Sequence, residues 1–156
     1  MNFKRRTHTC GELKSTNAGE KVLLNGWVDR RRDLGGLIFI GLRDRYGITQ
    51  VVFEPEHNQE AHQFGKELRN EFVISVEGTV RERSKDQVNK EMTTGEIDVI
   101  VDKLVIINES ETPPFTIKDE VDAFEDFRLK YRYLDLRRPV LQKTLLLRHQ
   151  IGRAHV

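Results

Sequence analysis

Three consecutive arginines, Arg30, Arg31 and Arg32, stand just ahead of a phenylalanine, Phe39, in the run LIFI, and a glutamine, Gln50, follows in the run ITQVV. Guanidinium groups neutralise phosphates, and an exposed aromatic ring stacks on an unpaired base. A carboxamide both donates and accepts, so it can read a Watson–Crick edge. Gathered on one surface with Arg43, these residues are the equipment for binding single-stranded nucleic acid. Each also has a plainer reading. LIFI alternates and one of its faces must be buried, so Phe39 equally fits core packing, and three arginines in a row equally fit a solvated strand end. Catalytic constellations are lacking: the sequence has no GxxxxGK[ST] loop, no GxSxG elbow and no HExxH helix. The histidines (His8, His57, His62, His149, His155) are scattered. His57 and His62 are too far apart to share a helical face and read as surface residues at or near a helix. Glu125 and Asp126 sit in a polar stretch where solvent leaves carboxylates ordinary. Cys10, the only cysteine, lacks the neighbours a zinc site needs and reads as a small buried residue.

The elements that must position these residues follow from periodicity. EKVLLNGWVD (20–29) alternates, with Val22, Leu24 and Val28 on one face and Leu23 and Trp27 on the other. After Gly35-Gly36, LIFIGLRD (37–44) is a second strand, and Tyr46-Gly47 turns it into ITQVVFE (48–54), which Pro55 stops. From Asn58 to Glu71 the period becomes helical: Ala61, Phe64, Gly65 and Leu68 form an apolar stripe. FVISVEGTVRER (72–83) is a fourth strand with a bulge expected at Gly78. A polar loop spans 84–96, and a long last strand covers 97–108 with a bend at Asp102-Lys103. The order β-β-β-α-β-β predicts an all-β fold: a five-stranded, Greek-key OB-fold barrel with one helix between strands 3 and 4, although other short β-barrels share that order. ESETPPFTIKDEVDAFE then reads as an extended linker. Pro139 opens a helix over 140–156 that runs into the end of the sequence with no cap, as an interrupted chain would.

Composition sets outer limits. The chain is 156 residues long, 37% hydrophobic and 33% charged, with a net charge of +1. That near-neutrality hides segregation: residues 1–50 hold ten Lys/Arg against five Asp/Glu, whereas residues 51–100 hold six against eleven. Such a split fits a basic face built by the first strands, and fits uneven solvated surfaces equally. There is no apolar run long enough for a membrane span and no secretory signal, and a lone cysteine fits a reducing cytoplasm.

Longer strings then bear on kinship. GWVDRRRDLGGLIFIGLRDRYGITQVVFEP (26–55), ELRNEFVISVEGTVRER (67–83) and TTGEIDVIV (93–101) closely resemble the OB domain of bacterial aspartyl-tRNA synthetases. RLKYRYLDLRRP (128–139) resembles the segment with which that family enters its class II catalytic domain. Lysyl- and asparaginyl-tRNA synthetases carry the same kind of OB domain, but RRRDLGGLIFI and KYRYLDLRRP look aspartyl-type. The resemblance covers essentially the whole chain. It implies an anticodon-binding domain over 1–108, a linker over 109–126 and the start of a catalytic domain over 127–156.

The resemblance also implies roles. Phe39 stacks on the middle anticodon base, Gln50 reads that uridine, and Arg32, with Arg30 beside it, lies against the anticodon. Arg83 and Asn89 match positions that meet the third base. Asp98 matches the acidic residue that contacts the first base; many relatives carry the longer glutamate there, and a bridging water would fill the gap. Leu34 followed by glycine resembles enzymes that charge only the aspartate tRNA, whereas a histidine at that position resembles those that also charge the asparagine tRNA. The whole enzyme would be a cytoplasmic homodimer using ATP and Mg²⁺ to join aspartate to tRNA(Asp). Its class II motifs lie largely beyond Val156, so these residues are expected to bind the anticodon loop as a monomer without aminoacylating. The competing readings are a general single-strand-binding OB protein, a ligase of relaxed specificity for the aspartate and asparagine tRNAs, and a purely structural or protein-interaction barrel.

Overall fold

Strand β1 (Lys21–Leu34) is the longest element of the sheet and its alternation is broken once. Val22, Leu24 and Val28 point inward and are buried. Val28 pairs with Leu42, but the next paired residue is Arg30, opposite Gly41. Asp29 is therefore an extra, bulged residue, and a single insertion exchanges the two faces of everything that follows it. Without it Arg30 and Arg32 would continue the inward row. With it they turn outward, and the strand runs on through the arginines instead of ending at residue 29. A two-residue turn, Gly35-Gly36, leads into β2 (Leu37–Arg43). Both glycines have positive φ (62° and 86°), the conformation of the hairpin turn that matches strand twist and that side chains resist.

β3 (Ile48–Phe53) follows a turn in which the Asp44 carboxylate accepts from the N–H groups of Tyr46 (2.7 Å) and Gly47 (3.0 Å). Helix α1 (Gln59–Glu67) is capped by Asn58, whose Oδ1 accepts from Ala61 N at 3.0 Å. Its inner face differs from the expected stripe. Ala61, His62, Gly65 and Leu68 are buried, and Phe64 is 44% exposed. His62 is turned in because its Nε2 meets the carbonyl oxygen of Gly36 at 2.7 Å, tying the helix to the β1–β2 turn. Gly65 lies against the Phe53 ring, which is 3.2 Å from where a Cβ would be, a tight fit for any side chain.

β4 (Val73–Glu82) and β5 (Ile97–Asn108) complete the sheet, which closes in the order β1-β2-β3-β5-β4. Glu77 pairs with Lys103 and Gly78 with Val101, so the bulge is on β5 at Asp102, the expected bend, and not at Gly78, which is paired; a second shift leaves Ile107 as an extra residue between Ile106 and Asn108. The β3–β5 seam is parallel and short, with only Val51↔Val99 and Val52↔Ile100 in register. The barrel interior is filled by Ile38, Ile40, Leu42, Val51, Phe53, Ile74, Val76, Ile97 and Val99, all but shut off from solvent, with Cys10 and Leu13 packed into the same core. Burial, with Asp44 beside the thiol, pushes the Cys10 pKa far up.

The computed structural model describes residues 4–154, which form two compact units meeting at Thr112 and Pro113. In the second unit Phe115, Ile117 and Leu134 pack together with Val121, Ala123 and Tyr131. The segment before residue 126 thus supplies a small core as well as a connection, and α2 (Glu125–Lys130) begins inside it. A short α3 (Arg132–Asp135) places Asp135, fully buried, between Arg132 and Arg138, whose Nη1 atoms donate to it at 2.7 and 2.9 Å. α4 (Pro139–Ala154) starts on proline as expected, and Asp119 Oδ1 accepts from Val140 N at 2.9 Å.

Candidate nucleic-acid interface

The outward row of the sheet can be followed from strand to strand by register. Arg32 pairs with Phe39, Phe39 with Val52, Val52 with Ile100, and Ile100 with Thr79. The next row runs Arg30, Gly41, Gln50. Phe39 is half-buried and faces away from the core, between Ile38 and Ile40, which are fully buried. Its ring therefore belongs to the wall outside the barrel, with Arg30 and Arg32 exposed beside it and the buried apolar side chains of Val52 and Ile100 forming the floor alongside. Gly41 adds no side chain between Arg30 and Gln50, and Ile48 Cγ2 lies close to where its Cβ would be.

Four of the expected residues form one hydrogen-bonded chain across four strands or their ends. Arg32 Nη2 donates to Gln50 Oε1 at 2.9 Å, and Gln50 Nε2 donates to Asp98 Oδ1 at 2.9 Å. Arg83 Nε donates to the same Asp98 oxygen at 2.9 Å; Nη2 lies 2.8 Å from it as an ion-pair contact without making a hydrogen bond. The chain runs from water to interior. Arg32 is exposed, Gln50 is intermediate, and Asp98 and Arg83 are 6% and 9% exposed. Arg83 and Asp98, which resemblance places against bases, are thus turned toward each other and shielded. Asn89 lies in the 84–96 loop outside this chain. Its Oδ1 accepts from Glu91 N at 3.0 Å, and its backbone N–H donates to the carbonyl of Gly95 at 3.0 Å, so it shapes the loop that precedes β5. Leu34 is 59% exposed at the tip of the β1–β2 hairpin.

Arg43 is on the same strand as Phe39 but is not available to a ligand. Its guanidinium is ion-paired to Asp29 through Nη1, and its Nη2 donates to both carboxylate oxygens of Glu71, at 2.6 and 2.8 Å. Glu71 has φ 66°, an unusual conformation for a residue with a side chain, and its N–H donates to Val28 O at 2.7 Å. Sequence reasoning missed this set, because Asp29 and Glu71 are distant in the chain and neither stands in a motif. Farther along the outer wall, a groove of about 480 Å³ passes Ile100, Thr79 and Arg81. There Arg81 is paired with Glu54 and His57 with Asp102.

A family model described as an OB-fold nucleic acid binding domain matches residues 22–107, the whole of the barrel's sheet but for its first and last residues. The chain belongs to this OB-fold family. Among curated proteins it is 56% identical over 149 residues to an aspartate–tRNA(Asp/Asn) ligase of Geobacillus sp. (strain WCH70), covering 96% of this chain and 25% of that protein. It is 57% identical over 146 residues to an aspartate–tRNA ligase of Geobacillus kaustophilus, covering 94% and 25%. The chain thus spans about a quarter of the length of the curated relatives it matches. Among solved structures, an asparaginyl-tRNA synthetase from Pyrococcus horikoshii superposes with a TM-score of 0.70 at 31% identity, over 85% of this chain and 29% of that one. OB-fold barrels bind oligonucleotides and oligosaccharides on the face of their second and third strands and on flanking loops; Phe39 and Gln50 stand on those two strands here. Among the described residues no helix is long and apolar enough to cross a membrane.

Proposed function

We propose that this chain is the N-terminal part of an aspartate–tRNA ligase and that its barrel binds the anticodon loop of tRNA(Asp). The observation that carries the reading is the outward Phe39, beside two exposed arginines and a glutamine on the outer wall of an OB barrel, in a chain whose relatives are named aspartate–tRNA ligase or aspartate–tRNA(Asp/Asn) ligase. In this reading the anticodon bases unstack and lie on the wall. Phe39 stacks on the middle base, and Gln50 offers its amide edge to that base. Arg30 and Arg32 neutralise the flanking phosphates, which makes binding salt-dependent. Asn89, Arg83 and Asp98 border the surface where the first and third bases fall. Leu34, projecting from the hairpin tip, fits the type restricted to the aspartate tRNA.

The whole ligase would join aspartate to tRNA(Asp) in the cytoplasm, with ATP and Mg²⁺ held by the three-quarters of the enzyme that this chain does not span. Residues 127–156 would begin that catalytic part, after an anticodon-binding domain over 1–108 and a connection over 109–126. The dimer contacts would lie mainly in the catalytic part, leaving these 156 residues monomeric and without aminoacylation activity. The test is a competition between an RNA hairpin with a GUC loop and the same hairpin with that loop scrambled. Preference for GUC supports anticodon reading. Equal, salt-sensitive binding of both would make the barrel a general single-strand binder, and no binding at low salt would remove the RNA function altogether.

A further inference from the structure

A glutamine amide has two ends of nearly the same size and opposite chemistry. Turned one way it donates where turned the other way it accepts. Uracil presents an acceptor, O4, beside the donor N3–H, and cytosine presents a donor, N4–H, beside the acceptor N3. One orientation of a fixed amide complements uracil and the flipped orientation complements cytosine. An amide free to turn over accommodates both and separates neither. Gln50 by itself therefore gives no choice between these two pyrimidines.

Its two neighbours do. Arg32 can only donate, and it holds Oε1 at 2.9 Å. Asp98, as a carboxylate, can only accept, and it holds Nε2 at 2.9 Å. Neither neighbour can exchange roles, so a flipped amide would set its oxygen against a carboxylate and its N–H groups against a guanidinium. The inner end is itself anchored: Arg83 Nε donates to the same Asp98 oxygen, the two charges are ion-paired, and the side chains of Arg83 and Asp98 are only 5% and 9% exposed. The amide keeps one N–H and one lone pair spare, which is what a base edge needs. We infer that Asp98 and Arg32 form a polarity lock on Gln50, and that this lock decides uracil against cytosine at the middle base, with Asp98 a positioning residue acting through Gln50. The inference rests on the anticodon reading proposed above.

The experiment titrates the 156-residue chain with hairpins bearing GUC, GCC and scrambled loops. The wild-type chain is expected to bind GUC at least about tenfold tighter than GCC. Arg32→Met removes the outer half of the lock from an exposed position, leaves no buried charge behind, and is expected to bring the GUC:GCC ratio toward one. Arg32→Lys retains a donor and keeps the ratio. Asp98→Ala is expected to level the ratio from the other end, while Asp98→Asn, whose carbonyl oxygen the Arg83 Nε–H holds in place, preserves it. Should Asp98→Ala fail to fold, with Arg83 left buried and unpaired, Arg32→Met still decides. If Arg32→Met weakens GUC and GCC equally and leaves their ratio unchanged, or if the wild-type chain prefers GUC to the scrambled loop but not to GCC, the lock is wrong and the anticodon reading stands. If the wild-type chain does not prefer GUC to the scrambled loop, the anticodon reading falls and the lock falls with it.

Discussion

Replacing Phe39 by alanine separates a ring that binds from a ring that packs. A phenylalanine buried in a core costs about 3–5 kcal/mol when cut to alanine, because transfer energy is lost and a cavity is left. Phe39 is half-buried on the outer wall, and the fully buried neighbours Ile38 and Ile40 hold the interior without it. Truncation opens no interior void, so the expected cost is below about 1.5 kcal/mol. Phe53, 1% exposed with Gly65 against its ring, supplies the contrast, and Phe53→Ala should lose the full core amount. Trp27 is the only tryptophan and sits in β1, so its fluorescence during urea unfolding reports on the barrel without interference from residues beyond 112. Stacking lost on one base is worth about 1–3 kcal/mol, a rise in Kd of roughly 5- to 150-fold for a GUC hairpin followed by anisotropy. The reasoning is refuted if Phe39→Ala destabilises the barrel as much as Phe53→Ala does, or if a fully folded Phe39→Ala chain binds the hairpin as the wild type does.

Two further outcomes follow from the same wall. Arg30→Ala should flatten the slope of log K against log salt by about 0.7, the share of one phosphate on a single strand, and an unchanged slope would take Arg30 off the RNA path. Arg43→Met should remove the guanidinium that Asp29 and the nearly buried Glu71 share and cost about 3 kcal/mol in urea unfolding, whereas a loss under about 1 kcal/mol would mean that the Asp29–Arg43–Glu71 set is not holding the bulge.

Strand periodicity made most of the barrel legible, because inward residues such as Ile38, Ile40, Leu42, Ile74 and Val76 alternate strictly and nothing else fits a closed sheet. Face assignment failed to carry through Asp29. A bulge is one residue with no compositional mark, and counting on from Val28 would have buried Arg30 and Arg32. The helix stripe misjudged His62 and Phe64 for a related reason. Periodicity ranks residues by hydrophobicity, but His62 turns inward to a hydrogen bond with the Gly36 carbonyl, and Phe64 is left 44% exposed. Site residues on neighbouring strands were readable as types, and their linkage was not: Gln50 and Asp98 are 48 positions apart and meet only because β3 and β5 run side by side. The packing of Phe115 and Ile117 in a proline-rich acidic stretch was likewise hidden, since their partner Leu134 lies in a different segment.

The ladder joining β3 to β5 holds only two residue pairs, and the residues expected to touch RNA stand at its end. One step before Val51 and Val99 the strands are joined by side chains, Gln50 to Asp98, in place of further backbone pairing. That makes the ring's thinnest stitch and its reading head the same few atoms. Anything that grips Gln50 in its closed arrangement favours the closed ring over an opened one, and so raises the barrel's resistance to unfolding in proportion to the logarithm of ligand concentration. Slowed hydrogen exchange along this one join, and not around the rest of the circumference, would be the signature of an occupied wall.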